Sequence, residues 1–223
     1  DSHTTPHEFM ANMKAVLLEK GVEIIKNEKI TDLKVENGRI KKLISAEGDH
    51  SADEYVLAAG SWTPLICKKF GMNMLLQAGK GYRINCNRPT GIKYPAILTE
   101  AKAAVTPMNG FTRFAGTMEI AGISKSVNSV RVEAIASAAQ RYYPEVELTE
   151  DEKRDASSGM RPVTPDGLPY IGRSSKCENL TIATGHAMMG WSMATGTGKL
   201  VSELISGKAV SMDIEPFLPE RSF

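Results

Sequence analysis

Ala52-Asp-Glu-Tyr-Val-Leu-Ala-Ala-Gly60 is the stretch that decides the fold, because from Tyr55 onward it is continuously apolar and closes on a glycine. A strand without polar alternation is covered on both faces, the habit of a parallel sheet. Upstream, Thr5-Pro6-His7-Glu8 has the spacing of a capping box with proline at the first helical position. Phe9, Met13, Val16 and Leu17 follow at helical intervals, which predicts an amphipathic helix from about Pro6 to Lys20, stopped by Gly21. Val22–Ile25 reads as a short strand and Ile30–Glu36 as another. Asn37-Gly38 then forms a type I′ turn into Arg39–Ala46.

Downstream of Gly60, Thr63 and Pro64 open a helix to about Phe70, ended by Gly71. Met74–Asn87 is extended, and Asn109-Gly110 marks a hairpin between Ala103–Pro107 and Phe111–Gly116, so the middle of the chain is expected to be antiparallel. Ser126 or Asn128 caps a helix in which Val130, Ala134, Ile135, Ala138 and Tyr142 recur, ended by Pro144. The last third has extended pieces near Ala156–Met160 and Leu180–Ala183. A glycine-rich turn from Gly185 to Gly190 then leads into a helix that runs to Gly207. The expected fold class is mixed α/β. Residues 1–73 and 159–223 would form one domain, and residues 74–158 an antiparallel lobe inserted into it.

Composition narrows the function. The 223 residues are 42% hydrophobic and 24% charged, with a formal charge of +1, so no global basic field exists to hold a nucleic-acid backbone. A small-molecule partner is expected instead. No run approaches the roughly 18 apolar residues that span a bilayer. Cys67, Cys86 and Cys177 are too widely spaced for a zinc site and odd in number, which predicts buried, inert thiols and a reducing compartment. His3 and His7 have no third ligand nearby and read as surface, so no metal is expected. Lys68-Lys69 and Thr149–Arg154 read as solvated faces.

The Gly-x-Gly-x-x-Gly turn of a dinucleotide fold is missing: Gly79-Lys-Gly81 is followed by Ile84 and Gly196-Thr-Gly198 by Val201 where the third glycine would stand. The chain also starts at Asp1 without a methionine. The expectation is a fragment whose phosphate-binding unit lies upstream.

Three segments taken together carry a resemblance. They are Tyr55-Val-Leu-Ala-Ala-Gly-Ser-Trp62, Gly159-Met-Arg-Pro-Val-Thr-Pro-Asp-Gly-Leu-Pro-Tyr-Ile-Gly172 and Thr184-Gly-His-Ala-Met-Met-Gly-Trp-Ser-Met-Ala-Thr-Gly-Thr-Gly198. In order and spacing they resemble the C-terminal half of the FAD-dependent D-amino-acid oxidase superfamily, nearest to its D-amino-acid dehydrogenase branch. Lys80-Gly-Tyr82 and the ending near Ile214-Glu-Pro-Phe217 fit that branch too.

The resemblance implies FAD as cofactor and part of an FAD-binding domain as fold. It implies oxidation of a D-amino acid or a related amine to an imino or 2-oxo acid, with transfer of electrons to a respiratory acceptor, or to oxygen in a glycine- or sarcosine-type amine oxidase. It also implies a cytoplasmic protein, with peripheral association on the inner membrane face. Arg161 is the residue that would grip the substrate carboxylate, since a guanidinium matches a carboxylate bidentately; its place between Gly159 and Pro162 predicts a stiff turn. Gly185, His186, Ala187, Met188, Met189, Gly190, Trp191 and Ser192 would lie against the flavin ring, Met188 facing the substrate as well. Ile30, Ala59, Gly60 and Trp62 are the further cofactor positions, Ile30 through its backbone. Tyr82 would either line the substrate cavity or serve as an aromatic of the sheet. A binding module without redox activity is the reading from another class.

Overall fold

The computed structural model describes residues 3–120 and 122–223. In chain order the helices are α1 (Pro6–Glu19), α2 (Thr63–Cys67), α3 (Ser129–Tyr142), α4 (Glu150–Arg154) and α5 (Gly190–Ile205). The strands are β1 (Ile30–Glu36), β2 (Arg39–Ser45), β3 (Asp49–His50), β4 (Tyr55–Leu57), β5 (Gln77–Cys86), β6 (Ala96–Leu98), β7 (Ala103–Met108), β8 (Phe111–Ile120), β9 (Ser157–Val163), β10 (Tyr170–Arg173) and β11 (Leu180–Thr184). Short 3-10 turns flank α2 at Gly60–Trp62 and Lys68–Phe70. This is the mixed α/β class that the sequence predicts. The chain divides into two compact units, one made of Asp1–Lys26, Lys80–Glu119 and Ser124–Gly159, the other of Asn27–Gly79, Ile120–Ile123 and Met160–Phe223.

The first unit holds most of the five-stranded sheet β6-β7-β8-β5-β9, of which the start of β5 and the end of β9 belong to the second unit, and β6, β7 and β8 are antiparallel neighbours as the Asn109-Gly110 hairpin requires. One face is covered by α3, so that Tyr82, Ile84, Val105 and Phe114 of the sheet meet Val132 and Ile135 of the helix. Asn128 is the cap of α3, its side chain accepting from Val130 N. α4 is a one-turn helix whose N-cap Thr149 forms a complete capping box with Glu152.

The capping box expected at Thr5 is absent. The Thr5 hydroxyl accepts from Asn109 N at 3.2 Å and Glu8 Oε1 from Asn109 Nδ2 at 2.6 Å, so both groups serve the β7–β8 hairpin instead of their own helix. α1 buries none of its residues within these units, and the expected strand at Val22–Ile25 is irregular and exposed.

The second unit holds two three-stranded sheets, β1-β2-β3 and β10-β11-β4. The turn at Asn37-Gly38 has positive φ at both residues, 51° and 69°, as a type I′ hairpin demands. β4 runs parallel to β11, with Leu180, Thr181 and Ile182 opposite Tyr55, Val56 and Leu57, which is the parallel pairing read from the apolar run. The core gathers Tyr55, Cys67, Met72, Tyr170, Leu180 and Ile182. All three thiols are buried and unbridged, and burial pushes the Cys67 thiol up to about 12, far from the reactive range.

Asn179 joins the two sheets of this unit. Its buried side chain accepts from Ile40 N at 2.9 Å and donates to Ile40 O at 2.9 Å and Asp53 O at 3.2 Å, while its own carbonyl accepts from Tyr55 N. Asn179→Leu is therefore expected to destabilise the protein by about 3 kcal/mol, since it leaves buried backbone groups unpaired. Urea titration checks this, and a change under 1 kcal/mol would show that the junction is redundant.

Candidate functional site

The parallel pair β4 and β11 ends on one edge, and ligands of open α/β sheets bind outside such carboxyl ends. Two segments leave that edge side by side. After β4 the chain turns through Ala59 and Gly60, the latter at φ 54°, into the 3-10 turn at Trp62. After β11 it enters the Gly185–Met189 turn. Thr184 Oγ1 donates to Gly60 O at 3.3 Å and is approached by Thr63 Oγ1 at 3.4 Å, which ties the two exits together.

The second exit is closely constrained. Gly185 sits at φ 87°, and a Cβ there would lie 2.7 Å from Thr164 Cγ2. Ala187 holds a positive φ of 46°, uncommon for a residue with a side chain. Its N–H donates to Pro162 O at 2.9 Å, and Met189 N donates to His186 O at 2.8 Å. α5 then starts at Gly190 without a side-chain cap, so its first amides and the positive end of its dipole lie at the turn.

The bond from Ala187 to Pro162 sets the turn against β9, next to Arg161. Arg161 lies inside β9 and not on the stiff turn expected from its glycine and proline neighbours. Pro162 has no N–H to give a ladder, yet the strand runs on to Val163. The guanidinium is half-buried, and that burial alone pulls its pKa below the ordinary arginine value. It stays cationic, and its desolvation strengthens any pairing with an anion.

His186 is half-buried as well. Burial lowers its pKa, so the ring is neutral at pH 7, and Nε2 shares a 2.8 Å hydrogen bond with Thr197 Oγ1. Around the turn an apolar rim is left open: Trp62, Met188, Met189 and Trp191 are all exposed, Met188 by 68%. The rim and the uncapped helix start together suit a flat, electron-accepting ring. Apolar side chains would cover its faces, and amide dipoles would meet negative charge developing on it.

Of the positions singled out in the sequence, Ala59, Gly60, Trp62, Arg161 and Gly185–Ser192 belong to the second unit, and hydrogen bonds link the two strand exits and Pro162 to one another. Ile30 heads β1 in the other three-stranded sheet of that unit. Tyr82 is a core residue of the first unit, 1% exposed, its hydroxyl donating to Glu119 Oε2 at 2.6 Å while Arg131 Nε lies 3.6 Å from the same oxygen. Burial, then the Glu119 carboxylate, raises its pKa. Sequence reading missed Thr184 and Thr197, whose only signal is a hydroxyl placed beside the glycines at 185, 196 and 198.

A model of the FAD dependent oxidoreductase family, DAO, matches residues 1–204. The chain belongs to this family. It is 33% identical over 218 residues to a protein of Paramagnetospirillum magneticum named D-amino acid dehydrogenase, covering 96% of this chain and 51% of that one. A protein of the same name from Rhizobium rhizogenes is 30% identical over 209 residues, 92% of this chain and 49% of its own length. The chain thus spans about half the length of the curated relatives it matches.

Among solved structures, L-proline dehydrogenase from P. horikoshii superimposes with a TM-score of 0.82 at 21% identity, over 97% of this chain and 59% of that one. Glycine oxidase from Geobacillus kaustophilus gives 0.80 at 22% identity, over 91% and 54%. These likenesses establish the fold. Among the described residues, no helix is long and apolar enough to cross a membrane.

Proposed function

We propose that this chain is the substrate-side and flavin-ring-side half of an FAD-dependent dehydrogenase of D-amino acids. Ile30, Ala59, Gly60, Trp62 and Gly185–Ser192 would hold the cofactor. The observation that carries the reading is the Ala187–Pro162 hydrogen bond, because it sets a half-buried cationic strand residue beside a glycine turn that opens a helix. The names of the curated relatives support dehydrogenase chemistry on D-amino acids.

When bound, FAD supplies the two-electron acceptor for oxidation of the Cα–N bond. Arg161 binds the substrate carboxylate through two parallel N–H···O bonds, which fixes where the Cα hydrogen points. Met188 and Trp191 keep water from the reacting carbon. The α5 amides stabilise negative charge at the turn without having to reorganise. The amino acid loses two electrons and two hydrogens to become an imino acid, which water converts to a 2-oxo acid and ammonia. The electrons leave for a respiratory acceptor, and the protein meets that acceptor at the inner membrane face as a peripheral protein. Under this reading the domain limits are 1–73, 74–158 and 159–223, the middle block being the inserted antiparallel lobe.

A dye-linked screen of D- against L-amino acids, run on the complete reading frame that carries this chain, tests the proposal. Dye reduction by D-enantiomers with little oxygen uptake is expected. Turnover of L-enantiomers only would overturn it, and rapid peroxide formation would replace the dehydrogenase by an oxidase.

A further inference from the structure

The His186–Thr197 hydrogen bond reaches eleven residues along the chain, from the turn of the second strand exit to the third turn of α5. It has a mechanical meaning. Ala187 occupies the left-handed region at φ 46°, which a residue with a Cβ keeps only where its surroundings over-determine it. One anchor lies on the far side, Ala187 N to Pro162 O; a second is local, Met189 N to His186 O. A third comes from the ring of His186, which is held to α5 by Thr197. The start of α5 lies close to this ring, since a Cβ added at Gly190 would sit 3.4 Å from His186 Cβ. The turn is thereby clamped between β9 and the body of α5.

We propose that Thr197 is a positioning residue of the flavin-side turn: through His186 it holds Ala187 in its left-handed conformation and keeps the first amides of α5 aimed at the ligand. The flavin part of this inference rests on the function proposed above. Thr197 itself touches no reacting atom. A hydroxyl is needed at 197 because the neutral imidazole must find a hydrogen-bonding partner inside a half-buried site. Valine has the same shape and offers none. Serine keeps the hydroxyl and lacks only the methyl.

Amide hydrogen exchange on the full chain tests this. Thr197→Val is expected to speed exchange at Ala187 and Met189 at least tenfold and to leave the β10–β11 amides unchanged, while Thr197→Ser stays within about threefold of wild type at all of them. Unchanged rates at Ala187 and Met189 in the valine variant would overturn the proposal. So would equal acceleration throughout β10 and β11, which would make Thr197 a general stability residue, or a serine variant as fast as valine. Thr197→Ala gives the same reading if valine prevents folding. A separate arm adds FAD to the wild-type protein of the complete reading frame. If FAD fails to slow exchange at 187–190 while the Thr197 pattern holds, the flavin reading falls and the clamp stands.

Discussion

Arg161→Ala in the complete reading frame raises KM for amino-acid substrates by roughly 30-fold or more, because truncating one partner of a desolvated charge pair removes about 2 to 5 kcal/mol. Arg161→Lys is expected to recover less than half of this free energy. Lysine restores the charge but not the planar fork, and a bidentate carboxylate contact depends on both. The flavin content of both variants stays at the wild-type level, since Arg161 faces the substrate in this account. Steady-state kinetics with absorbance at the flavin bands checks both parts. An unchanged KM in alanine and lysine variants alike would return Arg161 to a structural role in β9.

Gly185→Ala is expected to be the most damaging single-methyl change in the second unit. Its backbone at φ 87° strains any L side chain, and the new Cβ would fall 2.7 Å from Thr164 Cγ2 and 3.4 Å from Tyr170 N. Neither neighbour yields easily, because Thr164 is buried and donates to Leu168 O at 2.8 Å, and the second contact is backbone. Left-handed strain and overpacking together amount to about 2 to 4 kcal/mol. Gly207→Ala is the comparison: its φ of 65° carries the strain, but open space receives the methyl, so about 1 kcal/mol is expected. Urea midpoints for the two variants measure the difference. Equal midpoints would mean that the turn gives way and that its geometry is not held by Thr164 and Tyr170.

The parts of this molecule that were legible in its sequence are those with a local physical cause. The apolar run at Tyr55 announced a strand of a parallel sheet, and β11 is its parallel partner, but the expected cover on both faces fails at Val56, which is exposed while Tyr55 is buried. Asn37-Gly38 announced its own turn through backbone freedom. Gly185 to Gly190 marked the opening of α5, because glycines ahead of a small-residue helix signal an approach of backbone to something else.

What was not legible depended on partners far along the chain. Thr5 and Glu8 have the spacing of a capping box, yet Asn109, more than a hundred residues away, takes both groups. Arg161 looked like a turn residue because glycine and proline flank it, while sheet pairing draws it into β9. β10 escaped notice because its four residues alternate with no pattern and owe their strand to β11. Asn179 and Thr197 are single polar residues without a motif, and only the buried groups they satisfy reveal their roles. For the candidate site, the segments could be named from the sequence. Their joining through Thr184, Gly60, Ala187 and Pro162 belongs to the fold alone.

The central claim is that a carboxylate held by Arg161 lies over a ring seated at the Gly185–Gly190 turn. Anaerobic mixing of the flavin-loaded, complete reading frame with a D-amino acid, followed by visible absorbance in a single turnover, tests it most directly. The account predicts bleaching of the flavin bands by the D-enantiomer, and by Arg161→Ala only at much higher substrate concentration. Bands left unbleached by every D-amino acid, or bleached equally well in the alanine variant at low substrate, would contradict it.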